Sequence, residues 1–180
     1  MDEKQLLEKF NNLETRNFAF NQIVRAYQEK VYWHVRKMVY EHDDANDITQ
    51  DVFVKVWKNL TKFNQNSSLY TWIYRIATNE CLNFLKKKKR KFFGSGGSEI
   101  NDELINKLTA SSQISGDDVQ IKLQKAIATL PNKQRAIFNM KYFDDMQYNQ
   151  ISEVLGTSVG ALKASYHHAV KKIQSFLNED

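Results

Sequence analysis

Apolar residues recur at three- and four-residue steps through most of this 180-residue chain, and no stretch alternates as a strand would. Leu6, Leu7, Phe10 and Leu13 open the pattern, which breaks near Thr15-Arg16-Asn17. Phe20, Ile23, Val24, Tyr27, Val31, Val35 and Met38 then carry it to about residue 40. His42 to Asn46 supply turn and cap residues that interrupt it. A third helix is expected to run to about Leu60, with Ile48, Val52, Phe53, Val56, Trp57 and Leu60 on its apolar face. Asn64, Gln65, Asn66, Ser67 and Ser68 form a polar loop that ends in a good N-cap. A fourth helix follows from about Leu69 to Arg90, with Leu69, Trp72, Ile73, Ile76, Ala77, Cys81, Phe84 and Leu85 as its buried stripe.

Periodicity is lost over residues 92–116, where Gly and Ser cluster. A flexible linker is expected there, with at most a short helix over Glu99 to Leu108. Asp117 and Asp118 then cap a helix bearing Ile121, Leu123, Ile127 and Leu130, and Pro131 suits the first position of the next. That next helix uses Ala136, Ile137, Met140, Tyr142 and Phe143, and Asp144-Asp145 ends it. The last segment reads as two helices joined by a tight turn. Ile151, Val154 and Leu155 line the first helix, and Gly156 can take the left-handed conformation that ends it. Thr157 and Ser158 cap the second, whose apolar face is Val159, Leu162, Tyr166 and Ala169. Gly160, Lys163, Ala164, His167, His168 and Lys171 are left facing outward, a small and donor-rich surface suited to a DNA major groove. All six glycines lie at or after position 94 and the only proline is Pro131, so the first half has almost no turn punctuation. The expected fold is all-α: two small helical domains, 1–91 and 117–180, joined by the linker 92–116.

Charge sharpens this picture. The net formal charge is +5, yet residues 61–93 alone carry +7 while residues 94–122 carry −3. On the fourth helix Arg75, Asn79, Asn83 and Lys86 share one face, which continues into the run Lys86 to Lys91. Asn is a weak helix former, so two on one face suggest base contacts, with Arg and Lys meeting phosphate. Tyr70, Trp72 and Tyr74 lie nearby, and aromatic rings can stack on unpaired bases. A solvated polar face is the plainer alternative. Asp43, Asp44, Asp47 and Asp51 lack a calcium-loop pattern and read as a docking face or as acids complementing a helix dipole. The four histidines show no zinc spacing, and the single cysteine, Cys81, falls on an apolar stripe. No phosphate-cradling glycine loop or nucleophile elbow is present. The sequence therefore points away from an enzyme, a metal or a cofactor. With no signal-peptide pattern and no apolar run of membrane-spanning length, a cytoplasmic protein is expected.

Three strings carry a family resemblance. Asp44-Ala-Asn-Asp-Ile-Thr-Gln-Asp-Val-Phe-Val-Lys-Val-Trp57 resembles the polymerase-binding helix of the extracytoplasmic-function (ECF) RNA polymerase sigma factors. Ser68 to Asn83 resembles the family's promoter-melting helix. Leu130 to Phe138, with the helix-turn-helix after it, resembles its −35 reader. The resemblance implies a four-helix region two and a helix-turn-helix region four. Asp47, Gln50, Asp51, Phe53 and Trp57 would dock on core polymerase. Asn64 to Ser68, with Tyr70, Trp72, Arg75, Asn79, Asn83 and Lys86, would melt and read the −10 element. Thr157, Ser158, Gly160, Lys163, Ala164, His167, His168 and Lys171 would meet the −35 duplex. Core RNA polymerase, promoter DNA and an anti-sigma factor are the implied partners, with no small-molecule substrate; a membrane-bound anti-sigma factor would hold the chain at the membrane. Many relatives carry cations where this chain has Ser165, His168 and Val170, so its recognition helix is less cationic than usual. A stand-alone helix-turn-helix regulator and a single-strand or RNA-binding module are the competing readings.

Overall fold

The computed structural model describes residues 2–94 and 118–178. Among them are eight α-helices, one short 3-10 turn and no strand. The chain divides into two compact units, one of Met1–Cys81 with Glu153–Leu155, the other of Leu82–Ser152 and Gly156–Asp180. The expected short helix over Glu99 to Leu108 and the cap Asp117 lie outside the described residues.

In the first unit, α1 (Glu3–Asn11) starts with a reciprocal cap. Gln5 N–H donates to Asp2 Oδ1 at 2.8 Å, and Asp2 N–H donates to Gln5 Oε1 at 3.2 Å. Leu6, Leu7 and Phe10 are buried, but Leu13 lies beyond the helix and is exposed, contrary to the expected stripe. The helix stops first because the Asn12 side chain accepts from Glu14 N–H and turns the chain. α2 (Arg16–Val39) ends at Tyr40, whose left-handed backbone (φ 62°) lets its N–H cap Arg36 O. Helix α3 (His42–Asn59) begins almost at once. The expected interruption over His42 to Asn46 is therefore only Tyr40–Glu41. Asp43 and Asp44 suit a helix N-terminus, and Ala45 is fully buried, so these cap-forming residues join the helix.

A 3-10 turn (Leu60–Lys62) leads to the polar loop and then to α4 (Leu69–Gly94), which runs four residues past its expected end. The core holds Ile23, Val35, Met38, Val52, Val56, Leu69 and Ile73. Phe10 and Phe20 meet the Trp57 ring edge-on at 5.3 and 4.9 Å, locking α1, α2 and α3 together. The buried face of α4 includes Thr71, Tyr74 and Thr78 as well as Ile73, Ala77, Cys81 and Leu85, whereas Trp72, Ile76 and Phe84 are only half-buried. This rotates the face from the expected stripe, because the hydroxyls find partners inside. Thr78 Oγ1 donates to Tyr74 O at 2.8 Å and accepts from His34 Nε2 at 2.9 Å. His34 is thus a fully buried link between α2 and α4.

The second unit takes over α4 from Leu82 and contains α5 (Asp118–Ala128), α6 (Asn132–Tyr142), α7 (Tyr148–Leu155) as far as Ser152, and α8 (Val159–Asn178). Pro131 is the N-cap of α6 and not its first residue. Ala126, Ile127, Leu130, Phe138, Ala169 and Ile173 form the core, with Leu123, Tyr166, Val170, Phe176 and Leu177 packed against it. Arg135 is fully buried and its Nη2 donates to Asn132 Oδ1 at 3.0 Å. All three tryptophans (Trp33, Trp57, Trp72) lie in the first unit, so their fluorescence reports on it alone. Phe10→Ala is expected to destabilise that unit by about 3–5 kcal/mol, measured as a shift of the urea midpoint followed by tryptophan emission.

Candidate nucleic-acid interfaces

The polar loop is held at both ends. Phe63, buried just before it, packs its ring 5.2 Å from that of Trp72. Just after it, the Ser68 hydroxyl accepts from Thr71 N–H at 3.1 Å and caps α4, as expected. Between these anchors Gln65 adopts φ 58°, a conformation that disfavours any residue with a Cβ. Asn64 Oδ1 accepts from Asn66 N–H at 3.3 Å, and Asn64, Gln65, Asn66 and Ser68 are exposed, with Ser67 half-exposed. The sequence hints at a loop but not at this backbone. A left-handed Gln carries no signature of its own.

From the loop, the outward face of α4 rises through Arg75 to Asn79, Asn83 and Lys86. The last three are exposed, and Arg75 is half-buried with an Nε that has no acceptor among the described residues. The only acid of residues 61–93 is Glu80, which is paired with Lys55 of α3. That pairing removes the one negative charge that would interrupt a polyanion along this face. Tyr70 lies between Tyr74 and Tyr27, with Lys30 Nζ 5.8 Å from its ring centre. Trp72 is half-buried against Phe63, and so serves packing as well as surface. Burial, and secondarily the Glu80 charge, push the Cys81 thiol well above its ordinary range, which makes it an inert core residue.

On α3, Asp47, Gln50 and Asp51 are exposed, Phe53 is buried and Trp57 is half-buried. Phe20, Val24, Gln50, Phe53, Val54 and Trp57 line a shallow groove of about 470 Å³, almost wholly apolar, beside α2. Val54, at 50% exposure, is the large apolar side chain most open to solvent on α3.

In the second unit α7 and α8 form the expected helix-turn-helix. Gly156 ends α7 at φ 62° and its N–H donates to Ser152 O at 2.8 Å. The Ser158 hydroxyl accepts from Ala161 N–H at 3.3 Å and caps α8. Gly160, Lys163, Ala164, His167, His168 and Lys171 are all exposed, Ser158 is exposed and Thr157 half-buried. Leu162, Ala169 and Ile173 are buried beneath them. Space for a Cβ is open at Gly160, so its smallness is not required by the fold. Lys163 Nζ lies 5.9 Å from the Tyr148 ring centre, and Lys141 Nζ lies 5.5 Å from it. The Tyr166 phenol is pushed up by burial first, then by the neighbouring phenols of Tyr148 and Tyr142.

Residues 23–91 match the family described as sigma-70 region 2, and residues 120–173 match sigma-70 region 4. The chain belongs to the ECF sigma factors of the sigma-70 family. It is 27% identical to the ECF RNA polymerase sigma factor SigW of Bacillus subtilis, over 89% of this chain and 90% of that one. It is 28% identical to the ECF RNA polymerase sigma-E factor of Escherichia coli, over 87% and 85% of the two chains. Its fold is similar to that of the sigma factor RpoE from Bartonella quintana, solved in complex with the anti-sigma factor NepR. That likeness has a TM-score of 0.70 at 23% identity, covering 89% of this chain and 98% of that one.

As a sigma factor, the chain keeps its two candidate DNA faces on different helices, α4 in region two and α8 in region four. The loop and the outward face of α4 are contiguous. The acids of α3 lie on a separate helix. Residues the sequence did not flag are Glu3, which bonds to the first turn of α4, and Tyr148, beside Lys163. Lys163→Ala is expected to weaken binding of a −35 duplex and lower the slope of log affinity against log salt by about one, measured by fluorescence anisotropy over a salt titration.

Proposed function

We propose that this sigma factor directs promoter-specific initiation by binding core RNA polymerase, opening the −10 element with region two and anchoring on the −35 element with region four. The observation that carries this reading is the presence, in one chain and in family order, of region two and region four, each with an exposed donor-rich face. We propose residues 1–91 as region two, 92–116 as the linker and 117–180 as region four. The roles within them follow from chemistry. Asp47, Gln50 and Asp51 offer charge and hydrogen bonds to polymerase, and the apolar groove at Phe53 and Trp57 accepts a side chain from it. The loop Asn64 to Ser68 receives an unstacked base of the non-template strand while Asn79, Asn83 and Lys86 follow its backbone. Capturing an unstacked base offsets its lost stacking, a few kcal/mol, and so holds the strands apart without covalent chemistry. On α8, Lys163 and Lys171 meet phosphate, and Gly160 and Ala164 allow close approach to the groove. An anti-sigma factor, such as the one bound in the solved RpoE complex, is a further partner we propose. Among the described residues no helix is long and apolar enough to cross a membrane.

A stand-alone regulator would leave the acidic face of α3 and its apolar groove without a use, and a single-strand binder would leave region four without one. The decisive experiment is run-off transcription with purified core polymerase. Start-site-specific transcripts that depend on this chain support the reading; tight duplex binding with no transcript favours a repressor-like protein. In that system Asn79→Ala is expected to lower open-complex formation about ten-fold while initial promoter binding is retained. Permanganate reactivity of thymines near the start site measures the first, and filter binding at low temperature the second.

A further inference from the structure

We infer that Glu3 is a positioning residue for the base-reading loop, acting from a helix outside the matched sigma regions. The inference rests on the proposed role of Asn64 to Ser68 in receiving an unstacked base. The match to region two starts at residue 23, so α1 is not part of it. Yet Glu3 Oε1 accepts a hydrogen bond from Leu69 N–H at 2.9 Å, across 66 residues of sequence. Leu69 is the first residue of α4, where the leading N–H groups have no partner inside the helix. Ser68 satisfies the amide of Thr71, and Glu3 satisfies that of Leu69. The carboxylate also meets the positive end of the helix dipole.

The same helix reaches the other end of the loop. α1 packs against the 3-10 turn Leu60–Lys62, which leads into it. One nine-residue helix therefore holds the chain on both sides of the loop. α1 is itself rigidly seated through buried Leu6, Leu7 and Phe10, the last wedged edge-on against Trp57. The loop contributes little of its own: one 3.3 Å bond from Asn66 N–H to Asn64 and a left-handed Gln65. A strained loop with few internal bonds keeps its shape only if its ends are fixed. The Glu3 charge extends to the neighbouring aromatic surface as well. Burial first, and Glu3 second, push the Tyr27 phenol above its usual range, and the Tyr27 ring lies 6.3 Å from that of Tyr70.

The test separates positioning from simple stabilisation by reading sequence preference. Holoenzyme reconstituted with the full chain is incubated with a pool of single-stranded DNA carrying a randomised ten-base window, and the bound fraction is sequenced. Glu3→Ala removes the acceptor, whereas Glu3→Gln keeps an oxygen for Leu69 N–H. With Glu3→Ala, enrichment at the most strongly selected base is expected to fall roughly five-fold, with total binding to the pool and affinity for core polymerase unchanged. Glu3→Gln is expected to restore most of that enrichment. An enrichment profile for Glu3→Ala identical to the parent overturns the inference. So does an equal loss of core binding and pool binding, which would mark Glu3 as a stabilising residue only. If the parent holoenzyme itself selects no base, the base-reading role of the loop fails, and the inference goes with it.

Discussion

Region two depends on one constraint: α4 must bury one side firmly while leaving the other bare. A helix that carries Arg75, Asn79, Asn83 and Lys86 outward cannot be held by that face, so everything that fixes it comes from behind or from its end. Behind it, the hydroxyls of Thr78 and Tyr74 engage His34 and Lys30 O on α2. These directional bonds set the rotation of the helix about its axis, which apolar contacts alone would leave loosely determined. At its side, Lys55 neutralises Glu80. At its start, Ser68 and Glu3 fix where the helix begins. The position of every outward side chain follows from these restraints.

The second unit solves a similar problem with a different device. α8 buries Leu162, Ala169 and Ile173 and turns its small and basic positions outward, the arrangement that helical periodicity predicted. Here the turn sets the angle, and Gly156 supplies it with a backbone that other residues adopt reluctantly. The aromatic group formed by Phe138, Tyr142 and Tyr166, with Phe138 stacked at 5.1 and 5.7 Å from the two tyrosines, gives α8 a stiff support. Tyr148 is flanked by Lys141 and Lys163, so the outward cation Lys163 of α8 already has a preferred place.

Periodicity is a local signal, and it located the helices, the helix-turn-helix and the outward residues of α8 well. It failed where long-range partners decide. Thr78 drew no notice, and Tyr74 looked like a ring for unpaired bases when it is in fact buried, because nothing nearby in sequence announces that His34 will bury beside them. Leu13 looked like core because its spacing was right, but the Asn12 turn had already ended the helix. His42 to Asn46 looked like a break because cap-forming residues also serve as first-turn residues, and the reversal lay in the backbone of Tyr40. Glu3 was invisible for the simplest reason: its partner is a backbone amide, which has no letter in the sequence.

The left-handed backbone at Gln65 has an evolutionary consequence. A site that tolerates positive φ admits glycine, asparagine or aspartate readily and β-branched residues hardly at all. Asn64, whose side chain accepts from Asn66 N–H, is similarly confined to residues that can close that small ring. Drift in the loop is thus channelled toward Asn66 and Ser67, whose side chains form no bond that the turn requires. The skeleton of the loop can persist while those two positions diversify, so under the proposed base-reading role new preferences can arise without refolding the surface that displays them.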